Sequence, residues 1–198
     1  MSGAAPAAVG VPAGRRRMTG RQTTVLDLLL DAAAVEARQH GYAGVTVRGV
    51  ASRAGVATAS AYHLVASKDH LLAEMMWREM ARLPAAEAPE SADAQSRVLA
   101  ELRVLGTFTA GDPLLAAAGT TALLGDGPDV QDVRLRMGKL VSERLAGALG
   151  EPVDVPVLRA LNLLYTGTLL AVGLGHLRSA EAPDVLTEAA GLILRVKR

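Results

Sequence analysis

The sequence predicts an all-α fold, and three observations carry that prediction. Apolar residues recur at intervals of three and four along most of the chain, glycines and prolines punctuate these stretches, and no run alternates apolar and polar residues as a strand does. The first helix is expected from about Thr24 to His40, with Thr24 and Asp27 as a capping box and Gly41 as its stop. A second begins near Thr46, whose hydroxyl can cap free amides, and ends at Gly55. A third covers roughly Thr58 to Leu64. Ser67 then caps a longer helix to about Leu83, with Leu72, Met76, Met80 and Leu83 on one stripe, and Pro84 and Pro89 break the chain after it.

Further helices are expected at about 91–110, 113–124, 129–149, 155–178 and 181–196. Asp112 and Pro113 supply a capping carboxylate and a proline at the first helical position. Val130, Val133, Met137, Leu140, Val141, Leu145 and Ala148 form one buried face. The 155–178 segment is apolar nearly all round and is expected to be covered on most sides. Val185, Ala189, Leu192 and Val196 make a further stripe.

The 198 residues can bury a real core, and 50% apolar with 21% charged is an ordinary globular balance. With no cysteine, disulfides and thiolate chemistry are excluded, which suits a reducing cytoplasm. Charge is uneven. Residues 1–70 hold eight Lys/Arg against four Asp/Glu, whereas the remainder is mildly acidic, so a polyanionic partner is expected for the first part alone. The opening "MSGAAPAAVGVPAG" is a poor secretory signal and, with Arg15, Arg16, Arg17 and Arg21, reads as a flexible basic tail over 1–21. Such an arm can enter a minor groove or merely solubilise the chain. Ala160 to Leu177 carries no Asp, Glu, Lys or Arg, but its Asn162, Thr166, Thr168, His176 and three glycines favour a helix inside a bundle, and no membrane partner is expected.

"TVRGVASRAGVATASAYHL" fits a helix-turn-helix, in which the second helix lies in the major groove and the first crosses the backbone. Val47, Val50, Ala51 and Ala54 can pack inward, leaving Arg48, Ser52 and Arg53 outward. The small residues from Ala57 to Ala61 allow close approach to base edges and phosphates. The stretch from Leu29 to Leu72, with "LLLDAA", "HGYAGVTVRGVASRAGV" and "AYHLVASKDHLL", resembles the N-terminal domain of TetR-family transcriptional regulators. That resemblance implies a homodimeric, usually repressing protein whose helix-turn-helix (22–67) is fused to a ligand-binding and dimerisation bundle (68–198). The bundle would pair through its last two long helices and hold a small ligand that releases DNA.

By the same resemblance, Thr46 caps the first helix of the motif and touches phosphate. Thr58, Ala59, Ser60 and His63 sit where the recognition helix meets bases, Tyr62 where phosphate is contacted, and Lys68 where a lysine reaches the backbone. Arg48 is an exposed further candidate. Ala57, Ala59, Val65 and Ala37 depart from the family's usual serine, glycine and phenylalanines. Tyr62 as a plain core aromatic, Lys68 as a solvated surface charge and His63 as a spacer are the bland alternatives.

In the body, Met76, Trp77 and Met80, with Phe108, Asn162 and Tyr165, could line a mostly apolar pocket for an apolar or neutral ligand, or simply fill a core. Scattered histidines and the lack of a nucleophile, metal or nucleotide motif argue against an enzyme, and no cofactor is expected. The rival reading is a helical small-molecule or partner-binding protein with a degenerate DNA-binding surface.

Overall fold

The computed structural model of the protein describes residues 19–89 and 91–195. Among these, every regular element is helical. Helix α1 (Gly20–Gly44) starts earlier than expected: Thr19 accepts from the Gln22 amide at 3.3 Å, and the Gln22 side chain accepts from the Thr19 amide at 2.9 Å. The capping box is therefore Thr19 with Gln22, and the Thr24 hydroxyl instead donates to the Gly20 carbonyl inside the helix. Arg21, expected in the tail, belongs to α1, while Arg15, Arg16 and Arg17 lie outside the described residues. The chain leaves helical geometry at Gly41, the expected stop, where φ is +59°.

Helices α2 (Val47–Arg53) and α3 (Thr58–Leu64) follow. Between them Gly55 has φ +67°, a left-handed conformation that a Cβ disfavours, and this lets the chain reverse within a few residues. Val47, Val50, Ala51 and Ala61 enter the same core as Leu29, Ala33 and Ala37 of α1. Arg53 clamps α2 to α1 from outside, donating to Glu36 Oε1 at 2.6 Å and Gln39 Oε1 at 3.0 Å.

Helix α4 (Lys68–Ala81) is capped by Ser67, which accepts from the His70 amide at 3.0 Å. Leu72, Met76 and Met80 are buried as expected, and so are Glu74 and Arg78. Those two charges are paired. Arg78 meets Asp31 of α1 at 2.8 Å, and Glu74 receives Arg136 at 2.6 Å from α7 (Pro128–Leu149). The helix thus bridges the first three helices to the body, and one continuous core runs through both.

The body adds α5 (Ala94–Gly111), α6 (Pro113–Leu123), α8 (Val155–Gly173), a 3-10 turn at Ser179–Glu181 and α9 (Ala182–Arg195). Asp112 caps α6 by accepting from the Leu115 amide at 3.4 Å, and it also pairs with Arg38 of α1. Val130, Val133, Met137, Val141 and Leu145 of α7 are buried, with Leu140 and Ala148 packed partly against the core.

Two expectations fail in the last helices. Helix α8 is long and apolar enough to cross a membrane by length and composition, yet only 17% of that window is buried, so it is not covered on most sides. Val155, Arg159, Leu163 and Thr166 lie open along one face, with Leu163 68% exposed. On α9 the buried residues are Ala182, Leu186, Ala190 and Gly191, one position along from the expected stripe, and Leu192 is 62% exposed. Helix α9 is apolar on adjoining faces, so periodicity could not choose which one meets α5. Val196 lies outside the described residues.

Candidate functional site

Helix α3 is held by little of its own surface. Ala61 is fully buried and Leu64 half-buried, while Thr58, Ala59, Ser60, Tyr62 and His63 are all exposed. Tyr62 is 55% exposed, which rules out the plain core aromatic. Ala57 at the N-cap makes no side-chain hydrogen bond, as its departure from serine implies. Val65 and Ala37 are buried in place of larger aromatics. Thr46 accepts from the Gly49 amide at 3.0 Å and remains exposed, as does Arg48 on the next turn. A groove of about 580 Å³ separates the start of α1 from α3, with Arg21, Ser60 and His63 among its lining residues.

Lys68 is not a freely solvated charge. Its Nζ donates to the Tyr42 carbonyl at 3.1 Å and stands 3.8 Å from the centre of the Tyr42 ring. The Tyr42 hydroxyl donates to Asp69 Oδ1 at 2.6 Å, and that bond, then burial and the Asp69 charge, push its pKa up to about 12. Tyr42 follows the break at Gly41, so the three residues fix the end of α1 to the start of α4. An ammonium has three donors, and two remain for other acceptors.

In the body a cleft of about 250 Å³ opens between α6, α7 and α8. Asn162 and Tyr165 line it, joined by Leu123, Met137, Val141 and Leu169. The Tyr165 hydroxyl is buried and reaches Met80 Sδ at 3.5 Å. Burial raises its pKa, with the Arg144 charge opposing, so it stays a neutral donor. The other expected lining residues lie elsewhere: Met76, Met80 and Phe108 fill the core, and Trp77 is half-buried under the Arg136 guanidinium at 4.6 Å. Sequence reading missed Arg134 in the cleft wall and Tyr42 beside Lys68. Tyr42 stands in the stretch that carries the resemblance, but its bond to Asp69, 27 residues on, and the Arg134 bonds to Leu123 and Gly125 follow from the fold. No group of three or more His, Cys, Asp or Glu suited to a metal occurs among the described residues.

The sequence profile of "Bacterial regulatory proteins, tetR family" matches residues 29–75. The chain is 36% identical over 176 residues to the "Uncharacterized HTH-type transcriptional regulator Rv0767c" of Mycobacterium tuberculosis, covering 88% of this chain and 82% of that protein. It is 31% identical over 149 residues to the "HTH-type transcriptional repressor KstR" of Rhodococcus jostii, covering 72% and 70%. Among solved structures, a TetR transcriptional regulator from Rhodococcus sp. RHA1 superposes with a TM-score of 0.71 at 24% identity over 91% of this chain and 99% of that one. The multidrug binding protein EbrR, complexed with ethidium, gives 0.59 at 23% identity over 89% and 99%. The exposed second helix of a helix-turn-helix, the all-helical body behind it and these relatives agree: the chain is no enzyme but belongs to the TetR family of bacterial transcriptional regulators.

Proposed function

We propose that the protein is a cytoplasmic homodimeric repressor that binds a palindromic operator through α3 and is released by a small ligand in the body. The observation that carries this is the exposure of Thr58, Ala59, Ser60, Tyr62 and His63 on a helix whose inner side is anchored by Ala61. Small side chains there allow the helix to enter the major groove, where Ser60 and His63 read base edges. Thr46, Arg48, Tyr62 and the remaining Lys68 donors serve as phosphate contacts, which fix register without reading sequence. The three-helix head to residue 67 is the DNA-binding unit, and the helices from 68 onward form the pairing and ligand-binding unit.

The open apolar faces of α8 and α9, with Leu163 and Leu192 outermost, support pairing of two copies there. A twofold pair places its recognition helices about one DNA turn, ~34 Å, or a multiple apart. Ethidium in EbrR supports a ligand in the body, and KstR, named a repressor, supports the sign of regulation. The cleft wall also lies near Asp69 at the start of α4, which holds Tyr42 of the head. Arg134 in its wall holds the Leu123 and Gly125 carbonyls at 2.7 and 2.8 Å, and Gly125 is so close to Asp69 that an added Cβ would lie 3.0 Å from Oδ2. A ligand shifts the DNA-bound state only by its differential affinity for the two arrangements.

Binding-site selection followed by gel shift tests the reading. Saturable, salt-sensitive binding to an inverted repeat is expected. Binding to no fragment leaves instead a helical small-molecule or partner-binding protein with a degenerate DNA surface.

A further inference from the structure

We infer that the cleft between α6, α7 and α8 takes an apolar chain ending in a carboxylate, with Arg134 as the carboxylate's partner. This rests on the reading of that cleft as the ligand site and departs from the expectation of an apolar or neutral guest.

Arg134 differs from most tethering arginines of the protein and resembles Arg97, whose guanidinium likewise donates to backbone carbonyls, those of Ala92, Ala148 and Leu149. Unlike Arg97, Arg134 lines the cleft. Arg38, Arg53, Arg78, Arg136 and Arg144 each face an Asp or Glu, whereas no ion pair among the described residues includes Arg134. Its acceptors are neutral: Gln131 Oε1, at 2.8 Å from Nε and 2.5 Å from Nη2, and the Leu123 and Gly125 carbonyls, both bound by Nη1. A guanidinium has five N–H groups, and these bonds use four, which leaves one on Nη2. The residue is half-buried in a wall that is otherwise largely apolar. A cation set among neutral dipoles and partly removed from water is stabilised by an anion that joins it, and such charge-assisted bonds are stronger than neutral ones.

The rest of the wall sets the shape of the guest. Leu123, Met137, Val141 and Leu169 offer contact to a hydrocarbon chain. The Thr120 and Thr166 hydroxyls donate to helix carbonyls at 2.8 and 2.9 Å, so their protons are already used. No second basic residue lines the cleft among the described residues, which suits a monoanion over a phosphate or a dicarboxylate. About 250 Å³ holds roughly eight water-sized units at ~30 Å³ each, the scale of a medium-chain carboxylate.

Calorimetric titration of the full-length protein with sodium octanoate and with octan-1-ol, at equal ionic strength, tests this. Octanoate is expected to bind at least tenfold tighter than the alcohol. Arg134→Gln should erase that preference while leaving octan-1-ol affinity in place, which also reports an intact cleft. Arg134→Lys, which keeps the charge, should retain part of the preference. Equal affinity of the parent protein for both probes, or a preference that survives in Arg134→Gln, overturns the carboxylate assignment alone. Binding of neither probe overturns the cleft as the ligand site, and the assignment falls with it. Should Arg134→Gln bind nothing because the α6–α7 turn collapses, the Arg134→Lys variant and the parent's octanoate-to-octanol ratio decide.

Discussion

Lys68 Nζ stands 3.8 Å from the centre of the Tyr42 ring and donates to the Tyr42 carbonyl at 3.1 Å, so the lysine at the start of α4 is oriented by the turn that ends α1. Phosphate contact from a pre-oriented lysine loses less side-chain freedom than contact from a mobile one. Lys68→Ala is expected to weaken binding to all DNA sequences about equally and to lower the salt slope by about one. An unchanged slope in a salt titration removes Lys68 from the phosphate contacts.

Tyr42→Phe keeps the ring under Lys68 and deletes the bond to Asp69. A loss of about 1 kcal/mol in urea unfolding near neutral pH is expected. The parent also has a pH signature. The folded pKa of Tyr42 is raised from 10.0 to about 12, so its stabilisation is complete below pH 10 and declines as pH rises towards 12. Subtracting the Tyr42→Phe curve from the parent curve should isolate this decline, and a flat difference over that window contradicts it.

Ser60 and His63 are exposed on α3 and line the same groove as Arg21. Ser60→Ala or His63→Ala is expected to cost roughly 1–3 kcal/mol on the preferred operator and to change the selected sequence at one position of each half-site. Identical selected sequences for variant and parent show that these side chains do not read bases.

Glu74 is buried on α4 and holds Arg136 at 2.6 Å, with His70 Nε2 at 3.2 Å on the same oxygen. Arg136→Ala leaves that carboxylate without its main counter-charge and is expected to destabilise the protein by about 3–5 kcal/mol. Adding Glu74→Gln should restore part of the loss, because a neutral amide needs no counter-charge there. Chemical denaturation of the two variants reads both steps, and additive losses exclude the coupling.

Leu163 projects from α8 with 68% of its surface open. Leu163→Glu is expected to leave the helical circular dichroism unchanged, shift sedimentation from two protomers to one and weaken operator binding by at least tenfold. A variant that sediments as the parent does places the pairing face elsewhere.

Punctuation explains what was legible beforehand. The bounds of the helix at Thr58–Leu64 could be read because Gly55 and Ser67 frame it, and its outward residues are exposed. Thr19 and Gln22 also carried the capping pattern, but the arginine-rich stretch before them reads as tail, and Thr24 offered a closer decoy. Partners could not be read. Lys68 meets a carbonyl 26 residues away, and Arg134 meets two carbonyls of a turn whose path no local pattern fixes. The exposure of α8 could not be read from its apolar run, because a helix buried within one chain and one proposed to be covered by a second copy have the same composition.

That open side of α8 has a consequence for the protein's life in the cell. If two copies pair there as proposed, a newly synthesised copy shows Val155 and Leu163 to its surroundings for as long as it remains single, and during that interval it invites chaperones, proteases and non-specific adhesion. On the proposed pairing, expression level would set turnover as well as regulatory output: scarce copies would spend longer alone and be cleared faster.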